Sequence, residues 1–192
     1  RDRFDLISAC VEDLQTKTSW TDWELTIVDN ESSDPRILEW FESVDGTVLQ
    51  YPHQFSYARM MNLAAEHVDA DLLLFLNSDV RVGNSDWMET MIGHAQQARV
   101  GAVGARLRYP GGNIQHEGVA VGVGGVAVNI NSRGYFQLGS LTRNVSALTG
   151  ACLMTRPSVF WEVGGFEDRL RVAFNDVDLC KRIQNHGYDL VY

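Results

Sequence analysis

Three aspartates, Asp29, Asp79 and Asp176, stand at or just past strand ends or in loops, where a folded chain can present a carboxylate to a ligand. Asp79 has the strongest context. It closes Leu72-Leu73-Leu74-Phe75-Leu76-Asn77-Ser78-Asp79, in which five consecutive apolar residues run into a polar turn. A continuous apolar run of this length reads as a strand covered on both faces, the habit of parallel sheets. Such sheets bind ligands beyond the carboxyl ends of their strands. A carboxylate there can hold a hard cation, Mg²⁺ or Mn²⁺, against a diphosphate. Asn77, Ser78 and Asp79 are equally good turn residues, so the run by itself leaves metal ligand and turn former both open. A Walker B reading would need a P-loop, and no G-x-x-x-x-G-K-[ST] occurs in the chain.

The other candidates each carry two readings. Asp29 with Asn30 can hydrogen-bond a base or ribose, or can close an Asx-turn. Arg59 and Asn62 lie three apart on one face of a helix; the guanidinium there can meet a phosphate or Asp79, or be an ordinary surface arginine. Asn175-Asp176-Val177-Asp178 precedes an amphipathic helix, so Asp176 is either an N-terminal cap or a base for a hydroxyl, and Asp178 is structural. His116, between Gln115 and Glu117, follows a turn and precedes a strand. A His/Glu pair can bind a metal or an acceptor, although a single histidine at a strand edge usually does neither. His53, His67, His94 and His186 have no identifiable partners.

The elements that must position these residues follow from periodicity. Residues 4–18 place Leu6, Ile7, Cys10, Val11 and Leu14 at helical spacing. Strands are predicted at 23–29, 47–50, 72–77 and 100–107, with helices at 36–41, 57–67 and about 86–97. Strand and helix alternate, which predicts βαβ units and a mostly parallel sheet with Asp29 and Asp79 on one rim. After residue 107 the pattern changes. Residues 109–113 are a turn, 119–128 are Gly- and Val-rich and strand-like, and 129–145 are irregular. Gly122, Gly124 and Gly125 suggest a dinucleotide loop, but no helix follows them. Residues 145–154 read as a strand, Pro157 opens a helix to about 163, Asp176 to His186 forms a last helix closed by Gly187, and a strand begins at 190.

Composition bounds the function. At 192 residues the chain is one domain by length, and 45% hydrophobic residues allow a proper core. A net charge of −9 without a basic face excludes a sequence-independent nucleic-acid binder. Cys10, Cys152 and Cys180 match no zinc or disulfide spacing and read as buried free thiols in a reducing compartment. No apolar run reaches the length of a membrane span and no secretory signal is visible. Both ends look cut: Arg1-Asp2-Arg3 leads at once into a helix, and Leu190-Val191-Tyr192 only begins a strand.

Taken in order, these segments resemble family 2 glycosyltransferases of the GT-A fold, of the bacterial polysaccharide and O-antigen type. The resemblance rests on Val28-Asp29-Asn30-Glu31-Ser32-Ser33-Asp34, Phe55-Ser56-Tyr57-Ala58-Arg59-Met60-Met61-Asn62, Leu74-Phe75-Leu76-Asn77-Ser78-Asp79, Thr149-Gly150-Ala151-Cys152 and, most specifically, Val163-Gly164-Gly165-Phe166 through Phe174-Asn175-Asp176-Val177-Asp178-Leu179-Cys180. It implies an α/β GT-A domain spanning 1–192, with a nucleotide-binding half (1–107) and a smaller, antiparallel acceptor-binding half (108–192). It implies inverting transfer of a hexosyl or deoxyhexosyl group from a nucleoside-diphosphate sugar to a saccharide or lipid-linked saccharide. By the same resemblance Asp29, Asn30, Arg59, Asn62, Asn77 and Ser78 attend the nucleotide sugar. Asp79 holds Mn²⁺ or Mg²⁺ as the last acid of a D-x-D motif, Asp176 is the catalytic base, and His116 and Asn175 stand on the acceptor side. The expected location is cytoplasmic, with peripheral association at the inner face of the cell membrane.

Three departures from that pattern bear on activity. Position 77 is Asn rather than the first Asp of D-x-D. The acidic pair before the last helix is Asn175-Asp176, leaving one candidate base. The family's first strand, and the segment beyond position 192 where relatives carry a further histidine, are not within these 192 residues. Two alternatives therefore stand beside the enzyme reading: a degenerate domain that binds a nucleotide sugar without turnover, and a sugar nucleotidyltransferase.

Overall fold

The computed structural model describes residues 2–123, 125–130, 139 and 141–192. Its elements run α1 (Phe4–Lys17), β1 (Thr26–Asp29), α2 (Pro35–Phe41), β2 (Thr47–Gln50), α3 (Tyr57–His67), β3 (Leu73–Leu76), α4 (Trp87–Ala95), β4 (Val100–Gly104), β5 (Leu107–Arg108), β6 (Ile114–His116), β7 (Val119–Val121), β8 (Ala127–Asn129), β9 (Cys152–Thr155), α5 (Pro157–Glu162), α6 (Asn175–Asn185) and β10 (Asp189–Val191). Local chemistry sets the helix starts. Asp34 accepts from the Arg36 N–H and Pro35 takes the first helical position of α2, while the Ser56 hydroxyl accepts from the Arg59 N–H at the head of α3.

The central sheet has four strands in the order β10-β4-β9-β3. β4 and β10 are parallel. β9 runs antiparallel to both its neighbours, with Leu73 opposite Thr155 and Ala102 opposite Thr155. β1 and β2 form a separate parallel pair. The sheet is thus less uniformly parallel than the strand–helix alternation predicts. The excursion from residue 105 to 151 re-enters the sheet at the end where β4 left it, with Leu153 opposite Gly104, and an antiparallel strand entered that way needs no crossover helix.

Both faces of the sheet are covered. Leu73 and Phe75 join Phe160, Phe166, Leu179 and Ile183 on one side, with Phe75 in ring contact with Phe160 and Phe166, both at 5.1 Å. Leu72, Leu74 and Leu76 pack with Met88, Met91, Val103 and Met154 on the other. Each large side chain so buried contributes about 1.5–3 kcal/mol.

The segment after β4 differs most from expectation. The apolar run predicted as one strand to 107 stops at Gly104 and resumes as the β5–β6 hairpin around Tyr109–Asn113, closed by Tyr109 N–H to Asn113 O at 2.8 Å. The Val- and Gly-rich stretch folds back on itself as β7 and β8. Gly124, and residues 131–138 and 140 of the stretch expected to be irregular, lie outside the described residues. The run at 145–154 becomes strand only from Cys152, because the peptide groups of Gly150 and Ala151 are bonded to other elements. All three cysteines are free and buried. No helix among the described residues is long and apolar enough to cross a membrane.

Candidate active site

Asp176 occupies the second position of α6. The residue before the helix, Phe174, has left-handed backbone (φ 63°) and a half-exposed ring. The Asp176 carboxylate is held by two backbone donors: Val177 N–H reaches Oδ1 at 2.8 Å and Gly150 N–H reaches Oδ2 at 3.0 Å. Gly150 in turn accepts the Tyr57 hydroxyl on its carbonyl at 2.6 Å. The next carbonyl, Ala151, accepts from the Asn77 N–H at 3.0 Å. Two consecutive residues at the mouth of β9 therefore tie together the candidate base, the start of α3 and the end of β3. Burial, then the nearby Asp176 carboxylate, pushes the Tyr57 hydroxyl up, so it stays a neutral donor to Gly150. Asp176 is half-buried and faces a cavity of about 180 Å³, lined also by Val119, Ala127, Asn129, Thr149, Phe174 and Val177.

Beyond β3, Asn77 is half-buried while Ser78 and Asp79 are exposed. The loop that carries them is fastened to α1. The buried Asp13 carboxylate accepts from Arg81 Nε and Nη2 at 2.7 and 2.8 Å and from Val82 N–H at 3.1 Å, and pairs with Lys17 at 2.8 Å. The Arg81 bonds hold Asp13 well below the usual carboxylate range against the opposing effect of burial. Asp79 itself makes no side-chain hydrogen bond or ion pair with a described residue. An uncommitted carboxylate at a strand end is a fitting donor for a hard cation. Among the described residues no group of three His, Cys, Asp or Glu gathers to complete such a site, so most of the coordination shell would come from phosphate oxygens and water.

Four of the residues assigned to the nucleotide, Asp29, Asn30, Arg59 and Asn62, gather elsewhere, around Tyr51–His53, while Asn77 and Ser78 stay at the end of β3. Asp29 is buried and spends both oxygens on the Ser32 N–H, at 3.1 and 3.3 Å, a turn closed three residues on rather than the two of an Asx-turn. Asn30 donates to the carbonyls of Tyr51 and His53 at 2.9 and 2.8 Å. Arg59 pairs with Asp168 at 3.2 Å, not with Asp79. The reason is helical geometry: at 3.6 residues per turn, two positions beyond Tyr57 lie on the opposite face from the Gly150 contact. Asn62 clips α3 to the 164–168 segment, donating to Phe166 O at 2.8 Å and accepting from Phe166 N–H at 2.9 Å. Arg59 and Asn62 line a second cavity of about 350 Å³ with Tyr51, His53, Glu66 and Asp168.

Two acceptor-side expectations change. Asn175 is buried, donates to Leu170 O at 3.2 Å and does not line the Asp176 cavity; its position at the first turn of α6 points it into the loop it stitches. His116 and Glu117 do not act as a pair, because adjacent residues at a strand end face opposite ways. Glu117 is buried against Arg106 at 2.9 Å, and His116 Nδ1 meets Asn129 Oδ1 at 2.9 Å. His116 thus reaches the cavity only through Asn129. Sequence reasoning passed over Asn129, Thr149, Tyr57 and the Asp13–Arg81 pair. Asp13 had a legible signal, an acid on the apolar face of α1, and Tyr57 and Thr149 stood inside segments that carry the resemblance; Asn129 and Arg81 had none.

Residues 1–164 match the family model for glycosyl transferase family 2. The chain belongs to glycosyltransferase family 2. This family 2 domain is 38% identical over 204 residues to protein y4gI of Sinorhizobium fredii and 35% identical over 201 residues to the O-antigen biosynthesis protein RfbC of Myxococcus xanthus. Both alignments take in the whole chain but only 22% and 16% of those proteins. It is also 29% identical over 135 residues, covering 64% of the chain and 44% of the relative, to N-acetylglucosaminyl-diphospho-decaprenol L-rhamnosyltransferase of Mycobacterium tuberculosis. Among solved structures it resembles the mannosyltransferase PcManGT of Pyrobaculum calidifontis in complex with GDP-Man and Mn²⁺, at a TM-score of 0.73 and 16% identity, over 98% of this chain and 51% of that one. The fold of this glycosyltransferase domain is GT-A.

Proposed function

We propose that this domain transfers a hexosyl or deoxyhexosyl group from a nucleoside-diphosphate sugar to a hydroxyl of a saccharide or lipid-linked saccharide, with inversion, in cell-surface polysaccharide synthesis. The observation that carries this reading is the Asp176 carboxylate, fixed by two backbone N–H groups at the wall of a cavity and tied through Gly150 and Ala151 to the strand that leads to Asp79. Asp176 takes the proton from the acceptor hydroxyl as its oxygen attacks the anomeric carbon, and the bond to the nucleoside diphosphate breaks on the opposite side. General-base assistance of this kind is worth about 10²–10⁴ in rate. Asp79, with the donor diphosphate, would hold a Mn²⁺ or Mg²⁺ ion, whose chemistry when bound is Lewis-acid stabilisation of the departing diphosphate. The cluster around Tyr51–His53, with Asp29, Asn30 and Arg59, supports the nucleotide end. A lipid-linked acceptor, as in the name of the mycobacterial relative, would bring the domain to the cytoplasmic face of the membrane.

A non-catalytic nucleotide-sugar-binding domain is the second reading, motivated by Asn77. The two are separated by melting curves with UDP, GDP, dTDP and CMP, each with Mn²⁺ and with EDTA, alongside transfer assays on wild type and Asp176→Asn. A ligand that binds only the folded state raises the melting point. Metal-dependent stabilisation by one nucleotide, with transfer present in wild type and lost in Asp176→Asn, upholds the enzyme. Stabilisation without any transfer upholds the binding domain.

A further inference from the structure

Asn129 ends β8 beside the base. Its side chain is exposed and lines the same cavity as Asp176. Its Oδ1 is already engaged by His116 Nδ1 at 2.9 Å. His116 is only 1% exposed. Burial pulls its imidazole below the ordinary value, with Asn129 and then Asp176 opposing, so the ring is neutral near pH 7. An amide oxygen only accepts, so the single ring proton lies on Nδ1. With its oxygen anchored by His116, Asn129 has both protons of its NH₂ to offer.

The backbone holds this pair still. Gly118 turns the chain between β6 and β7 with φ +96°, and a Cβ there would come within 2.7 Å of Val145 Cγ1. Glu117 N–H donates to Ile130 O at 3.0 Å and Ile130 N–H to Gly118 O at 2.9 Å, so the residues following His116 and Asn129 are bonded to each other.

We propose that Asn129 reads the acceptor: its NH₂ donates to an oxygen neighbouring the hydroxyl that Asp176 deprotonates, and His116 is the positioning residue that anchors the amide through its oxygen. The inference rests on Asp176 being the base. It names the acceptor class as a sugar with a vicinal diol, whose apolar ring face suits the Val119, Ala127, Phe174 and Val177 walls. A sugar lacking the second oxygen loses the bond and is discriminated against.

The test uses octyl glycosides and their monodeoxy analogues as acceptors, with UDP-, GDP- and dTDP-sugars as donors. Asn129→Ala raises the acceptor KM about tenfold, the loss of one hydrogen bond, and erases the preference for the diol over its deoxy analogue. Its melting shift with nucleoside diphosphate stays that of wild type. His116→Phe acts in the same direction, His116→Asn, which restores a donor near Nδ1, recovers most of the loss, and the Asn129→Ala/His116→Phe double variant is no worse than either single one. Long-range ¹⁵N–¹H correlation of the free protein finds His116 protonated at Nδ1. An unchanged acceptor KM and diol preference in Asn129→Ala, or an Nε2–H tautomer, overturns the proposal. If Asp176→Asn is dead while Asn129→Ala is normal, only this inference fails; if Asp176→Asn still transfers, the base assignment itself fails.

Discussion

Asp13 of α1 and Arg81 beyond β3 share two hydrogen bonds, at 2.7 and 2.8 Å, and through them the first helix holds the loop that carries Asp79. The folded-state value of Asp13 is depressed. Its contribution to stability is therefore full above the ordinary carboxylate value of about 3.9 and fades as the pH falls below it toward the folded value. Asp13→Asn should melt at least about 3 °C below wild type at pH 7, and the two melting curves should converge as the pH drops below about 4. A gap that stays constant down to pH 3 would mean that the ionised pair is not what secures the loop.

Asn77→Asp adds a second carboxylate two residues before Asp79. Ligand charge count tunes affinity for hard cations, so Mn²⁺ should be held about tenfold more tightly in the presence of nucleoside diphosphate. Isothermal titration of Mn²⁺ into protein saturated with the stabilising nucleotide measures this. An unaltered affinity would place the cation away from the end of β3.

Tyr57→Phe removes the hydroxyl that fixes the Gly150 carbonyl. Stability should fall by about 1 kcal/mol, the net worth of one such bond. The rate should suffer more, by about tenfold in kcat, because the Gly150 N–H aims the base and small misplacements of a catalytic group are costly. Denaturant melts and steady-state kinetics on one preparation compare the two. An activity loss no larger than the stability loss implies would show that Gly150 is held without the tyrosine.

Asn62→Ala should leave the N–H and C=O of the buried Phe166 without their side-chain partner. The expected cost is about 2–3 kcal/mol, from two lost bonds and the desolvated groups left behind. Asn62→Asp keeps the acceptor but not the donor and should fall between. Chemical denaturation midpoints order the three proteins.

Local chemistry made much of this fold readable. The helix at Tyr57–His67 and the strand at Thr47–Gln50 are found where periodicity put them, because each carries its own cap or bounding turn. Strand direction was not readable: nothing within Cys152–Thr155 distinguishes a strand inserted antiparallel from one reached by a crossover. In the candidate site, types were legible and partners were not. An Asn such as Asn62 offers the same amide to a phosphate or to a backbone, and only the approach of Phe166, far along the chain, decides which. Asn129 was invisible for the opposite reason, since its importance lies in a histidine on a neighbouring hairpin.

The placement of β9 has a consequence for how the molecule is made. During synthesis β3 and β4 exist, with their facing edges unpaired, until more than forty further residues have followed β4 and Leu73 can meet Thr155. Pairings so distant along the chain fold slowly, and open strand edges recruit other chains in the meantime. Nascent chains halted near residue 140 should therefore associate with one another, while extension past β9 should join β3 to β4, and Gly150 meets Asp176 only once α6 has followed.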